Sequence, residues 1–222
     1  MNAKAQSGFT LWELLISILV AGIVLGFGIP NFLEFQRNNV MVAGANEFVT
    51  AILLARAESV KRQVPVTLCA SPDPTAAAPT CSITGAGTNG GFIVWVDENG
   101  NVDGSGSPII TDATDGNAVV DAGELMLLQR EAPGGTVNIW ADSGYIAYGP
   151  NGFARRAQGT AINSLTRLLM CDERGNRPTT GGSAARVVRV EQTGRGQVQR
   201  DMADVVLALA IINAAGVPAV CP

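Results

Sequence analysis

The sequence predicts an α+β protein in which one long N-terminal helix, apolar enough in its first half for a membrane, precedes an antiparallel β domain. Three observations carry this expectation. No charged residue stands between Glu13 and Glu34. A helical period continues from Pro30 to about Gln63. From Val64 onward, short apolar or alternating runs are separated by turn clusters.

A chain of 222 residues suits one domain of ordinary size plus a membrane segment. Lys and Arg total 15 against 19 for Asp and Glu, so the net charge of -4 gives no bulk reason to bind nucleic acid. Histidine is absent, which removes the commonest general base and the commonest zinc ligand. Neither GxSxG nor SxxK occurs. The chain is therefore expected to be no enzyme and to need neither cofactor nor metal. Cys69, Cys81, Cys171 and Cys221 show no CxxC spacing, and an even count in an exported chain suggests disulfides. Of the three pairings, Cys69–Cys81 with Cys171–Cys221 is preferred. The first would close a short Pro/Ala/Asp-rich loop, and the second would tie down the C-terminus.

At the N-terminus, residues 1–8 are polar with one cation, Lys4, and the character changes abruptly at Phe9. Twenty uncharged positions separate Glu13 from Glu34. A helix of about 20 residues at about 1.5 Å each spans a bilayer core of roughly 30 Å. In an ordinary secretory signal the apolar run precedes the cleavage site and is discarded. Here the small residue, Gly8, comes first, so a cut after it would retain the helix. Lys4 favours a cytoplasmic N-side, which sends the remaining domain outward. Glu13 costs about 2.5–3.5 kcal/mol at a helix centre and less near an end. It needs a partner, and cleavage would create one in the freed amine of Phe9 on a neighbouring subunit. Snorkelling to the headgroups is the alternative.

The run Gly8-Phe9-Thr10-Leu11-Trp12-Glu13-Leu14-Leu15 resembles the type IV prepilin cleavage and assembly motif, usually written GFTLIELL, with Pro30 where these proteins commonly have a helix-bending proline. The resemblance implies cleavage after Gly8, N-methylation of Phe9 by a prepilin peptidase, and Glu13 as the assembly glutamate. Trp12 departs from the usual aliphatic residue.

The elements then follow in order. Residues 1–8 form a leader, 9–29 a transmembrane segment, 30–63 an amphipathic continuation of the helix, and 64–222 a β-rich globular domain with a C-terminal tail. Leu33, Val40, Phe48, Val49, Ile52 and Val60 mark the helical period, with Gly44 as the interior weak point. The Phe48/Ile52 stripe is expected to lie on a sheet. Pro30 removes a backbone donor and is expected to kink the helix, and Pro65 ends its period. Strands are expected at Val64–Ala70, Phe92–Asp97, Leu125–Arg130, Thr136–Trp140, Gly144–Gly149, Arg167–Asp172, Ala185–Gln192 and Gly196–Arg200. The apolar tail 201–222 is shorter than a membrane span and contains Pro218, so a short docked helix held through Cys221 is expected.

The order of LARAESVKRQVPVTLCAS, GGFIVWVDENGN, DAGELMLLQ and GSAARVVRVEQTGRGQV resembles the FimT/FimU and GspH group of minor pilins and pseudopilins. That implies a type IV pilin-like fold in a subunit of a type IV pilus that primes or caps assembly and serves twitching motility, adhesion or DNA uptake. A GspH-like pseudopilin of type II secretion is the alternative. Implied partners are other minor and major pilin subunits, the prepilin peptidase and inner-membrane lipid. The implied location is the bacterial inner membrane, single-pass with the domain in the periplasm, and then the pilus or pseudopilus.

Three constellations suggest other chemistry. Gly85, Gly87 and Gly90 satisfy GxGxxG, but no strand is expected before them and no helix after. Asp97, Asn99, Asn101 and Asp103, and then Asp115, Asn117, Asp121 and Glu124, alternate like oxygen ligands of calcium. Val102 stands where an EF-hand has glycine, and Asn-Gly and Asp-Gly turns produce the same composition. Finally, Arg186, Arg189, Arg195 and Arg200, with Arg155 and Arg156 in another loop, form a candidate DNA contact. Thr193-Gly194-Arg195-Gly196-Gln197 resembles the GRxR segment of DNA-binding FimT proteins, with Gln197 in place of the second arginine. A DNA-binding pilus-tip receptor is the reading this would support; a hairpin turn with solvated arginines explains the same residues.

Overall fold

The computed structural model describes residues 8–82, 90–98, 116–131, 137–155, 166–179, 181–191, 193–214 and 221. Helix α1 runs from Leu11 to Arg62, and the chain divides into two units, Met1–Asn39 and Val40–Pro222. In the first, every described side chain from Phe9 to Phe35 is exposed. Such a helix has no stripe to bury and no polar face; only an apolar surrounding satisfies it. The helix continues through Pro30.

In the second unit α1 becomes one-sided. Met41, Ala45, Phe48, Ile52 and Ala55 are buried at helical spacing, while Val42, Leu53 and Val60 are exposed. Burial of Met41, Phe48 and Ile52 stabilises the fold by about 1.5–3 kcal/mol for each side chain. Phe48 meets Phe92 edge to face, with ring centroids 5.3 Å apart. The helix stops because Gln63 turns to φ 60° and donates from Nε2 to the carbonyl of Val60 at 2.5 Å, ahead of Pro65.

The strands are β1 (Val66–Ser71), β2 (Gly91–Val96), β3 (Met126–Glu131), β4 (Asn138–Ala141), β5 (Tyr145–Tyr148), β6 (Ala154–Arg155), β7 (Arg167–Cys171), β8 (Pro178–Thr179), β9 (Gly182–Ser183), β10 (Arg186–Val190) and β11 (Gly196–Gln199), followed by helix α2 (Met202–Ala214). One antiparallel sheet has the order β3-β2-β1-β5-β6 and a second β11-β10-β7-β4, with β8-β9 as a small separate pair. Each expected run overlaps a strand, although Thr136 and Gln192 lie outside the described residues. The two-residue strands β6, β8 and β9 were not expected, being too short to show a period.

Alternation sends each strand's residues into different cores. Val66, Leu68, Phe92, Val94, Ile146, Leu168, Met170 and Val188 join the α1 stripe in the main cluster. The opposite faces are not left to water. Cys69, Ile93, Trp95, Tyr145 and Ala147 form a second cluster with Cys81 and Ala118. Trp140, Leu169, Cys171 and Val187 form a third, closed by Val205, Ala208 and Ile212 of α2. Because both faces are covered, β1 and β2 are buried along their whole length.

The disulfides are Cys69–Cys81 and Cys171–Cys221, closing sequence separations of 12 and 50. Chain entropy assigns them about 3 and about 4 kcal/mol respectively. Replacing Cys171 and Cys221 by Ser should therefore destabilise the chain more than replacing Cys69 and Cys81. It should also raise amide exchange selectively in α2. Denaturant midpoints and hydrogen exchange check both; equal exchange in α2 before and after the substitution would contradict the role given to this bond.

Candidate functional site

The start of α1 is built by Thr10 and Glu13. Thr10 precedes the first helical residue, and its Oγ1 accepts the backbone N–H of Glu13 at 3.3 Å. Glu13 reaches back: its Oε2 accepts the N–H and the Oγ1–H of Thr10, both at 3.0 Å. This is a capping box, in which residue and cap satisfy each other's free donors. Glu13 Oε1 takes no hydrogen bond among the described residues. The carboxylate thus holds the helix end with Oε2 alone. Phe9 and Trp12 are exposed beside it. The cap is written in the sequence as Thr-x-x-Glu ahead of an apolar run, a signal the reading of Glu13 as an isolated charge passed over.

The candidate calcium residues are used otherwise. Asp97 is buried at the end of β2, where its Oδ2 accepts Thr67 Oγ1–H at 2.5 Å and the N–H of Ala118 at 3.0 Å. Asn117 donates to Asp121 at 3.0 Å, and Glu124 accepts the N–H of Asp121 at 2.8 Å. No group of three acidic, cysteine or histidine side chains is placed to hold a metal among the described residues. Asn99, Asn101, Asp103 and Asp115 lie outside those residues, as do Gly85, Gly87 and Arg156.

The expected DNA contacts do not form one patch. Arg186 is buried, and its Nη1 donates to the carbonyls of Ser183, Ala184 and Ala185 at 2.7, 3.1 and 2.9 Å. Burial pushes its pKa down, with Arg200 and Arg174 adding to the effect. Arg186 is a structural tie, and its place among the surface contacts is corrected. Arg189 pairs with Glu191 at 3.1 Å. In the β10–β11 hairpin Val190 faces Gly196 and Val187 faces Gln199, so Arg195 at the turn and Arg200 beyond the open end lie at opposite ends. Arg200 is held against Gly181 and Gly182.

Comparison with known proteins adds two family matches: the model described as type II transport protein GspH fits residues 44–194, and that described as the prokaryotic N-terminal methylation motif fits residues 3–29. A search of curated proteins gives no match. Among solved structures, two crystal forms of the type IV minor pilin FimU of Pseudomonas aeruginosa are similar at 16% identity. One match covers 74% of this chain and 92% of that chain with a TM-score of 0.40, the other 71% and 90% with 0.36.

Asp97 carries a pH dependence. Burial raises its pKa to about 6, against the hydrogen bonds from Thr67, Ala118 and Asn117 and the charge of Arg155, which favour ionisation. The unfolded carboxyl releases its proton near the ordinary value of 3.8. Between these values the folded chain holds a proton that the unfolded chain has lost, so stability falls as pH rises from about 4 to about 6, by about 2 kcal/mol. Asp97→Asn should remove this loss, so its denaturation midpoint should gain on the wild type across that window. Parallel curves for the two proteins would contradict the assignment.

Proposed function

The chain belongs to the family of type II transport protein GspH, and from that premise we propose that it is a non-enzymatic filament subunit, a minor pilin that helps prime or cap a type IV pilus. The observation that carries this reading is the start of α1. An exposed apolar helix begins directly after Gly8-Phe9, and Glu13 in its first turn takes hydrogen bonds at Oε2 and none at Oε1 among the described residues. The N-terminal methylation motif over residues 3–29 supports the same reading.

In this reading a prepilin peptidase cuts between Gly8 and Phe9 and methylates the new amine. The subunit waits in the inner membrane, its domain in the periplasm. Residues 9–29 lie in lipid, and Pro30 bends the helix where it leaves. Assembly places the Phe9 amine of one subunit against Glu13 of the next, so a charge pair in an apolar surrounding forms only between subunits. The capping box keeps Glu13 from standing wholly unsatisfied before that. Motility, adhesion or DNA uptake then belong to the filament with its other minor and major subunits.

The description of the matched family favours a second reading, a pseudopilin of a type II secretion system. Both readings need the same anchor and domain. Deleting the gene separates them: a lost pilus with intact secretion supports the first, and retained piliation with lost secretion the second.

Glu13→Ala tests the subunit reading itself. It should leave cleavage and membrane insertion intact and reduce incorporation into filaments to background, as measured by immunoblots of sheared filaments beside membrane fractions. Thr10→Ala, which removes the cap and keeps the carboxylate, should lower incorporation far less. Normal incorporation of Glu13→Ala would contradict the proposal.

A further inference from the structure

Three turns of chain meet around Gly152. The Gly149–Phe153 turn is closed by the N–H of Gly152 donating to the Gly149 carbonyl at 2.8 Å and by Asn151 Oδ1 accepting the N–H of Phe153 at 3.1 Å. Gly152 has φ 72°, and a Cβ there would come within 2.9 Å of Val60 and 3.4 Å of Arg56 Nε. Only glycine lets this turn sit so close to α1. The β10–β11 turn arrives from the other side: a Cβ on Gly194 would lie 3.4 Å from the Gly152 carbonyl and 2.5 Å from the Tyr148 ring. Tyr148 fixes it by donating from its hydroxyl to the Gly194 carbonyl at 3.0 Å. These contacts bring Arg56 and Arg195 to one locality.

Neither guanidinium has an acidic partner or a hydrogen bond among the described residues. Other arginines show what pairing looks like in this fold. Arg174 holds Asp172 through Nε at 2.9 Å and Nη2 at 2.6 Å, and Arg62 holds Glu58 at 2.6 Å. Arg56 is half-buried, so its charge has lost part of its water without gaining a counter-ion. No acidic side chain among the described residues pairs with either of them. Phe153 stands half-exposed over the depression lined by Gly149, Pro150, Asn151, Ala154 and Arg155, and Val60 is exposed on α1. Arginine and aromatic side chains around a small concavity are what protein-binding surfaces concentrate.

We propose that this face, formed by Arg56, Arg195, Phe153 and the Gly149–Phe153 turn, docks an acidic peptide segment of another subunit. Guanidinium groups match carboxylates with paired hydrogen bonds, and a docked segment brings one or two carboxylates to fixed places. A nucleic-acid strand would bring a long row of charge to a chain of net charge -4 whose face offers it few cations, Arg56 and Arg195 beside Arg155. Carboxylates are the better complement. The inference rests on the reading of the chain as a filament subunit.

The test uses the full chain in nonionic detergent and a short fluorescein-labelled peptide of alternating Glu and Gly, read by fluorescence anisotropy. A peptide with Gln for Glu and a single-stranded DNA of equal charge are compared with it. The Glu peptide should bind and the Gln peptide should not, and Arg56→Gln and Arg195→Gln should each weaken binding by about five- to tenfold. Arg195 is exposed, so its variant stays informative even if Arg56→Gln loosens α1, which a thermal melt would show. No binding of the Glu peptide, unchanged binding by Arg195→Gln, or DNA bound more tightly through the same arginines would each overturn the proposal. Such a failure would not touch the Glu13 experiment, which reads incorporation and no peptide binding.

Discussion

One helix has to satisfy two solvents, and the rest of the structure depends on that constraint. Up to Phe35 the described side chains of α1 are exposed and mostly apolar, which water does not tolerate over such a length. From Met41 the apolar residues withdraw to one face, and that face is the axis of the main core. Helix α1 carries both stretches. What changes is the side-chain pattern, from a helix that asks for lipid to one that asks for a sheet. Both large sheets direct their inner residues to the same stripe, so the position of Phe48 and Ile52 decides where Leu68, Phe92, Ile146, Met170 and Val188 must point.

The same helix explains how a carboxylate can stand near an apolar segment. The first N–H groups of α1 have no intrahelical acceptors, and Thr10 and Glu13 satisfy each other's donors there. An acidic residue in the first turn also meets the positive end of the helix dipole. Glu13 therefore loses less than a carboxylate at the helix centre would. One oxygen, Oε2, suffices for the cap.

Much of this was legible in the sequence, and for identifiable reasons. The membrane-length run, the Phe48/Ile52 stripe, the main strands and the docked tail helix all follow from periods and turn residues. Burial was less legible. Arg186 reads as a surface cation because its three acceptors are backbone carbonyls of the preceding residues, Ser183, Ala184 and Ala185, and backbone acceptors leave no mark in the side-chain pattern. Asp97 reads as a turn residue or calcium ligand because Ala118, which donates to it, is 21 positions away. Polar residues in loops announce themselves by type, whereas their burial depends on which distant segment covers them.

The tail shows the same dependence from the other direction. The family match ends at residue 194, yet Trp140, Leu169 and Val187, all within it, face a cluster that residues beyond it complete. Without α2 the outer face of the second sheet would expose these side chains. A helix of 13 residues is marginal on its own, and α2 buries only Val205, Ala208 and Ile212 fully while Val206 and Leu207 stay exposed. Its hold on the sheet is thus modest in area. The Cys171–Cys221 bond adds what packing on one side does not: it joins the chain beyond α2 to β7, the strand that α2 covers. The apolar tail and the last cysteine thus act on the same strand, one by packing on β7 and the other by a covalent bond to its end.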